Sequence, residues 1–481
     1  MSTKNKIGIN VIYNMSYQIL AIIVPLLTSP YISRVLGAEQ IGIDSYTSSV
    51  VFYFVIFAIL GINNYGNRTI ASEKGRVSNL SQIFSNIYII QLIMSIVMTL
   101  LYLAYILLFV DRYILIFYIQ IFQILANMVD VTWYFYGKEE FKVTVLRNSF
   151  VKIIGLVLIF IFVKNSGDLW KYTLITVGSA FLGQACIWPF LLKEVQIVRP
   201  VWIEVKKHIK PIIILFIPVL AISIFTNIDK LMIGQFSSVI QNGYYENANK
   251  IIGIPKALVT ALGTVMLPRT AALLSNGKED KSRYYVEVTI MYTTFFSSAL
   301  MFGMMAVAER FAVLFWGKDF VFSGILIIGL APAFVFSVIG NVVRTQYLIP
   351  RARDKEYTIS LIIGAAVNII INYFFIPVWG SVGAVIGTVI AEFLMTLLQV
   401  HLVRKEISIY KYILNSLPFY FFGLVMYFVI ILLGNFFSAN SFVNLLILIS
   451  CGGISYFLLC IGFMTISKNM ILKNLLSKIL K

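Results

Sequence analysis

The chain has 481 residues, of which 59% are hydrophobic and only 12% are charged, and its mean hydropathy is +0.89. A soluble chain of this length would form several domains with far more surface charge, so the composition excludes an ordinary soluble protein. The net charge of +17 matches the excess of Lys and Arg in cytoplasmic loops of membrane proteins, so we expect no nucleic-acid partner.

Apolar runs long enough to cross a bilayer follow one another along almost the whole chain. A hydrocarbon core about 30 Å thick requires about 20 apolar residues of helix. The sequence therefore predicts an all-α polytopic membrane protein with about fourteen transmembrane helices. We place these spans at residues 9–33, 43–62, 83–110, 113–136, 143–163, 169–191, 211–235, 243–267, 285–308, 320–343, 357–376, 381–403, 412–433 and 441–465.

The loops between the predicted spans alternate in basic content. One set collects most of the Lys and Arg residues and includes both ends of the chain. The opposite set holds only Arg34, Arg112, Lys164, Arg310 and Lys318. Because cytoplasmic loops are the basic ones, we predict that the N and C termini are both cytoplasmic.

The most basic loop falls between the sixth and seventh predicted spans and suggests a division of the chain into halves. A short internal repeat, RVLG at 34–37 and KLMIG at 230–234, indicates two pseudo-symmetric six-helix lobes followed by two C-terminal helices. The predicted parts are an N-terminal lobe at 1–192, a cytoplasmic basic linker at 193–210, a C-terminal lobe at 211–403, and two additional helices with a basic cytoplasmic tail at 404–481.

Ionisable side chains inside the predicted spans are the main functional candidates. At mid-depth such a group costs at least ~2.5–3.5 kcal/mol unless it faces a cavity or a partner. We expect one group to line a cationic, water-filled cavity and bind an anionic substrate, and this group is Arg34, Lys152, Lys230, Lys250 and Lys256. A second group is expected to pair with these bases or to couple transport to an ion, and it is Asp130, Asp229, Glu246 and Glu392.

Several of these residues also have a structural interpretation. Arg34 can extend to the membrane interface. Glu246 and Lys250 are spaced i, i+4 and can form a local ion pair on one helix face. Asp130 can pair with Lys152 between adjacent helices. Prolines and glycines inside the spans mark places where helices can bend, which favours alternating access over a static anchor.

Motifs for catalysis and for nucleotide or metal binding are missing from the sequence. Gly277-Lys278 and Gly317-Lys318 lack the spacing of a Walker A loop. The two histidines, His208 and His401, fall at cytoplasmic edges and cannot form a metal cluster. We therefore predict a protein that is not an enzyme, with no catalytic or metal-binding residues and no cofactor other than a coupling ion, H⁺ or Na⁺.

Seven segments spread over the chain carry distinctive sequences: PYISRVLGAEQIG at 30–42, GINNYGNRTIA at 61–71, DVTWYFYGKEEFK at 130–142 followed by Arg147, Asn148 and Lys152, DKLMIG at 229–234, GYYENA at 243–248, QYLIP at 346–350, and the spaced residues Asn368, Asn372, Tyr373, Ile376, Pro377, Gly383, Ala384 and Glu392. Together and in this order they resemble the polysaccharide repeat-unit flippases of the Wzx type. These flippases belong to the MATE-like superfamily of multidrug, oligosaccharidyl-lipid and polysaccharide exporters.

The resemblance implies a bacterial inner or plasma membrane protein with two six-helix lobes around a V-shaped cavity. It also implies that the substrate is a lipid-linked oligosaccharide, a sugar repeat unit on undecaprenyl pyrophosphate, moved from the inner to the outer leaflet. Arg34, Lys152, Lys230 and Lys250 would contact its pyrophosphate or an acidic sugar. A polysaccharide polymerase and a chain-length regulator are the partners that this function implies.

Three other functions stay open at the level of the sequence. A MATE-type ion-coupled drug exporter would share the fold, but cationic drugs favour an acidic cavity and the predicted bases at least equal the acids. A lipid II flippase would share both the architecture and the cationic cavity. A membrane polysaccharide polymerase, from a different class, would be expected to carry a large outer loop, and the predicted outer loops are short.

Overall fold

Helices account for nearly all of the described chain, because backbone groups in a bilayer have no water to bond and a helix satisfies them internally. The computed structural model describes residues 3–73, 77–437 and 441–467. These residues form sixteen α-helices and no strand. The chain divides into two compact units, residues 1–234 and 235–481.

The first unit is built from nine helices, the last of which runs two residues past its end. They are α1 (Thr3–Ile59), α2 (Ile62–Ser72), α3 (Val77–Phe109), α4 (Ile114–Met128), α5 (Thr132–Gly137), α6 (Phe141–Phe162), α7 (Leu169–Ala185), α8 (Trp188–Leu191) and α9 (Trp202–Phe236).

Helix α1 is broken at Gly37, whose backbone has φ 79° and ψ 174°. This conformation favours glycine because an L side chain is strained there. At 1.5 Å per residue, 57 residues of unbroken helix would extend about 85 Å, far beyond a ~30 Å hydrocarbon core. The break divides α1 at a point between the predicted spans 9–33 and 43–62.

The second unit contains seven helices. They are α10 (Val239–Ser275), α11 (Glu279–Trp316), α12 (Val321–Val343), α13 (Asp354–Trp379), α14 (Ser381–Val403), α15 (Ile409–Phe436) and α16 (Phe442–Ile466). One turn of π-helix, Arg344–Leu348, follows α12.

The prediction of an all-α polytopic membrane protein is confirmed. Within the described residues, twelve helical segments are long and apolar enough to cross a membrane, and the first of them covers the 50 residues Ile23–Ser72. The total of fourteen spans, the cytoplasmic termini and the four-part division of the chain stay predictions. Several helices extend beyond their predicted ends, and α9 already begins at Trp202, inside the predicted linker.

Two of the distinctive sequence segments pack against each other in the first unit. Gly66 of α2 faces the ring of Trp133, and Gly137 of α5 lies against Ile70. Trp133 is fully buried, and its Nε1 donates a hydrogen bond to Oε1 of Gln91 at 3.1 Å. We call this arrangement the α2–α5 contact.

Candidate functional site

The predicted site residues are distributed over both units. Arg34, Asp130, Lys152, Asp229 and Lys230 lie in the first unit, and the other four predicted residues lie in the second.

The first unit contains a cavity of about 340 Å³ between α1, α6 and α7. Lys152 lines it and is half-buried. Its substrate-binding role stays a prediction. Arg147, one and a half turns earlier on α6, lines the same cavity. No carboxylate occurs among its lining residues, so the wall carries two positive charges.

Arg147 was not among the predicted site residues. Its Nη1 donates hydrogen bonds to the carbonyl oxygen of Gly183, at 3.1 Å, and to Oε1 of Gln184. Its Nη2 donates to Oδ1 of Asn148. Arg147 lies close to the predicted start of a span, so the sequence suggests a place at the membrane–water interface. Its position five residues before Lys152 on the same helix could have indicated that both residues border one cavity.

Asp130 has a defined structural role. The fourth predicted span is interrupted between α4 and α5, and Asp130 lies in this interruption. Its Oδ1 accepts hydrogen bonds from the backbone N of Thr132 at 2.9 Å and from its Oγ1 at 2.7 Å. These bonds satisfy donors at the start of α5, as carboxylates at helix N-termini commonly do. A coupling role for Asp130 stays a prediction.

The remaining predicted residues of the first unit lie on α1 and α9. Arg34 is exposed and precedes the helix break at Gly37 by three residues. Asp229 is buried and Lys230 is half-buried, next to it on α9. Their substrate-binding and coupling roles stay predictions.

Asp44 is an acidic residue that the sequence interpretation missed. It is half-buried in α1, and its Oδ1 accepts a hydrogen bond from Oγ1 of Thr173 on α7 at 2.8 Å. Its position at the edge of a predicted span made it resemble an interfacial residue.

In the second unit, Lys256 and Glu392 form an ion pair between α10 and α14. The Nζ of Lys256 lies 2.8 Å from Oε1 of Glu392. The side chain of Glu392 is only 2% exposed and that of Lys256 is 42% exposed. The second carboxylate oxygen, Oε2, is buried without a hydrogen-bond partner in the described part of the chain. The sequence singled out both residues but did not pair them.

Glu246 and Lys250 form the ion pair that their spacing predicts. The Nζ of Lys250 lies 3.2 Å from Oε1 of Glu246, one turn away on α10. The side chain of Lys250 is 38% exposed and that of Glu246 is 15% exposed.

Replacement of Lys250 by alanine is expected to change the free energy of unfolding by less than about 1 kcal/mol, because an i, i+4 pair contributes about 0.3–0.5 kcal/mol. If Lys250 binds substrate, polymer export should nevertheless fall at least tenfold. Thermal unfolding of the purified variant and the amount of exported polymer measure the two effects. Normal export by a normally folded variant would remove Lys250 from the site.

Two further cavities occur in the second unit, and both are apolar. One of about 380 Å³ lies among α10, α11, α12, α15 and α16, and one of about 560 Å³ lies among α11, α12, α14 and α15. Neither has a charged lining residue.

The family model described as "Polysaccharide biosynthesis protein" matches residues 7–274 of the chain. A protein of Escherichia coli (strain K12) whose assigned name is O-antigen transporter is 23% identical over 415 residues, which are 84% of this chain and 98% of that protein. The capsular polysaccharide biosynthesis protein CapF of Staphylococcus aureus is 20% identical over 280 residues, 57% of this chain and 70% of that protein.

Solved structures show the same fold. The lipid II flippase MurJ in an inward closed conformation superposes with a TM-score of 0.74 and 16% identity, over 95% of this chain and 99% of that chain. An inward-facing MATE family multidrug transporter of the MOP superfamily superposes with a TM-score of 0.57 and 15% identity, over 81% of this chain and 99% of that chain.

Proposed function

The chain belongs to the polysaccharide biosynthesis protein family, whose model matches more than half of it, and from this premise we propose a specific function. It moves oligosaccharide repeat units linked to undecaprenyl pyrophosphate from the inner to the outer leaflet of the bacterial cell membrane, for the synthesis of a surface polysaccharide. Alternating access through a cationic cavity carries the substrate across. The relative named above as a transporter of O-antigen supports this proposal.

The observation that carries the proposal is the presence of basic side chains within membrane-spanning helices. Lys152 and Arg147 line the cavity of the first unit, and Lys256 is partly exposed in the second. Such charges are costly in hydrocarbon unless they serve a pathway or a partner. Lysine and arginine form charge-assisted hydrogen bonds with phosphate, which are stronger where water is scarce.

We also propose that a proton or Na⁺ couples to transport through Glu392. Lys256 neutralises one oxygen of this carboxylate, and the buried Oε2 can take up the ion. A substrate phosphate that draws Lys256 away would leave Glu392 buried without its counter-charge. Uptake of a cation would then compensate for the loss, because an unpaired charge is costly there. Flipping in vesicles at the same net yield with and without an ion gradient would contradict this coupling.

The test of the main proposal is the position of lipid-linked sugar in a strain that lacks the gene. Repeat units that accumulate on the inner leaflet are the expected result, and expression of the intact chain should clear them. Single unpolymerised units on the outer leaflet would identify a polymerase instead. Normal polymer with altered drug sensitivity would identify an exporter of drugs.

Lipid II transport is a second candidate, because the superposition on the lipid II flippase covers almost the full length of both chains. Rescue of a strain depleted of its own lipid II flippase would favour it. If the chain is present in the membrane in a normal amount and does not rescue the strain, lipid II is excluded as the substrate and the polysaccharide repeat unit is favoured.

A further inference from the structure

The cavity of the first unit is small, and its lining is partly apolar and partly charged. Val24 of α1, Val151 of α6 and Ile175 of α7 contribute apolar surface, and Arg147 and Lys152 contribute charge. Its volume of about 340 Å³ is at the lower end of the ~300–1,000 Å³ typical of ligand pockets. A cavity of this size can hold a group as small as a phosphate.

The guanidinium of Arg147 is held in a fixed orientation by neutral acceptors. Gly183 lies in the last turn of α7, where carbonyl oxygens have no partner inside the helix, and Arg147 donates to this oxygen and to the amide oxygens of Gln184 and Asn148. These bonds to neutral acceptors orient the guanidinium. The carboxylate of Asp130 also interacts electrostatically with it, and Asp130 is not among the residues that line the cavity. A guanidinium held beside a cavity presents a localised positive charge there, which attracts phosphoryl oxygens.

We propose that Arg147 and Lys152 form a phosphoryl-binding subsite inside the first unit, which takes the phosphate end of the lipid-linked substrate while the sugars stay outside. This inference rests on the proposed function. Five residues of helix separate the Cα atoms of Arg147 and Lys152 by about 7.5 Å along the axis of α6. One cation is held by the end of α7 and the other lies deeper in the span, and both border the same cavity.

Gly155 provides an independent test of the cavity that changes no charge. It is buried, it lines the cavity, and a Cβ added there would lie 3.6 Å from Oγ of Ser179, which is ordinary contact. Alanine at this position therefore fits. The larger side chain of leucine would extend into the cavity and displace a bound group.

The experiment measures ligand-induced thermal stabilisation of the purified full chain, since a ligand that binds only the folded state raises Tm. The probes are inorganic pyrophosphate, a short-chain polyprenyl pyrophosphate, and nanodiscs with and without phosphatidylglycerol. The variants are Lys152→Gln and Arg147→Lys, and Gly155→Leu with Gly155→Ala as its matched control. Lys207→Gln controls for loss of a positive charge, because Lys207 is exposed and paired with Glu204.

We expect polyprenyl pyrophosphate to stabilise the wild type, Gly155→Ala and Lys207→Gln alike. Lys152→Gln and Gly155→Leu should each raise its apparent Kd at least tenfold. Arg147→Lys should raise it because a lysine cannot keep the bonds to Gly183, Gln184 and Asn148 that fix the position of the charge. If polyprenyl pyrophosphate binds more tightly than phosphatidylglycerol, the phosphate group in the subsite belongs to the lipid-linked substrate. Equal binding supports the subsite with a bilayer phospholipid as its occupant.

Unchanged binding in both Lys152→Gln and Gly155→Leu would overturn the subsite, as would the absence of stabilisation of the wild type by every probe. Equal loss in Lys207→Gln would also overturn it, because the binding would then be non-specific. Since no flipping is measured, these outcomes are separate from those of the deletion strain. Normal leaflet distribution in that strain would overturn the proposed function and leave the measured binding intact.

Discussion

Replacement of Gly66 by alanine is expected to destabilise the protein by about 1–3 kcal/mol, the cost of forcing extra volume into a packed core. The added Cβ would lie 2.5 Å from Cε3 and 2.8 Å from Cδ2 of Trp133, which is closer than carbon atoms can approach. The indole cannot move aside easily. It is fully buried, stacks on Phe84 with ring centroids 5.4 Å apart, and is held by its hydrogen bond to Gln91.

The measurement is Tm of the purified variant together with the amount of folded protein in the membrane. Gly462→Ala is the matched control, because a Cβ at this helical glycine of α16 meets nothing within 4 Å. There the higher helix propensity of alanine should leave stability unchanged or raise it by up to about 1 kcal/mol. Equal Tm values for the two variants would show that the α2–α5 contact is looser than the structure describes.

Replacement of Lys256 by alanine is expected to cost about 2–3 kcal/mol and to abolish export. Removal of one partner from a fully buried ion pair costs about 3–5 kcal/mol, because the other charge stays buried. The expected loss of stability is lower than this because Lys256 is 42% exposed. It is still substantial because the carboxylate of Glu392, which is 2% exposed, would lose its counter-charge. Thermal unfolding and polymer export of the same variant measure the two losses.

The double variant Lys256→Ala/Glu392→Gln separates folding from transport. Removal of both charges should restore most of the stability, since no unpaired carboxylate remains, whereas export should stay below a tenth of the wild-type amount. Lys207→Ala, at an exposed pair, controls for the loss of one lysine. Wild-type export by the double variant would show that the pair serves only to join α10 and α14.

The sequence was sufficient to predict features that depend on neighbouring residues. Apolar runs predicted an all-α membrane protein, and the i, i+4 spacing of Glu246 and Lys250 predicted their ion pair, which measures 3.2 Å. The family followed from short segments in a fixed order, and the family model confirms it.

Features that depend on tertiary packing were not predictable in the same way. Lys256 and Glu392 are 136 residues apart, and only the packing of α10 against α14 brings them together. Asp130 appeared to be an acid within a span, because hydropathy does not show that α4 ends at Met128 and α5 begins at Thr132. The contribution of Arg147 to a cavity wall depends on how α6 faces α7.

The α2–α5 contact bears on how proteins of this type are classified. The segments at 61–71 and 130–142 resemble related chains, and they contain the glycines and the tryptophan that fit these two helices together. Sequence similarity in these two segments therefore indicates a shared fold and says little about which sugar is carried. Chimeras that keep both segments and exchange the residues lining the cavities are the appropriate way to transfer sugar preference between relatives.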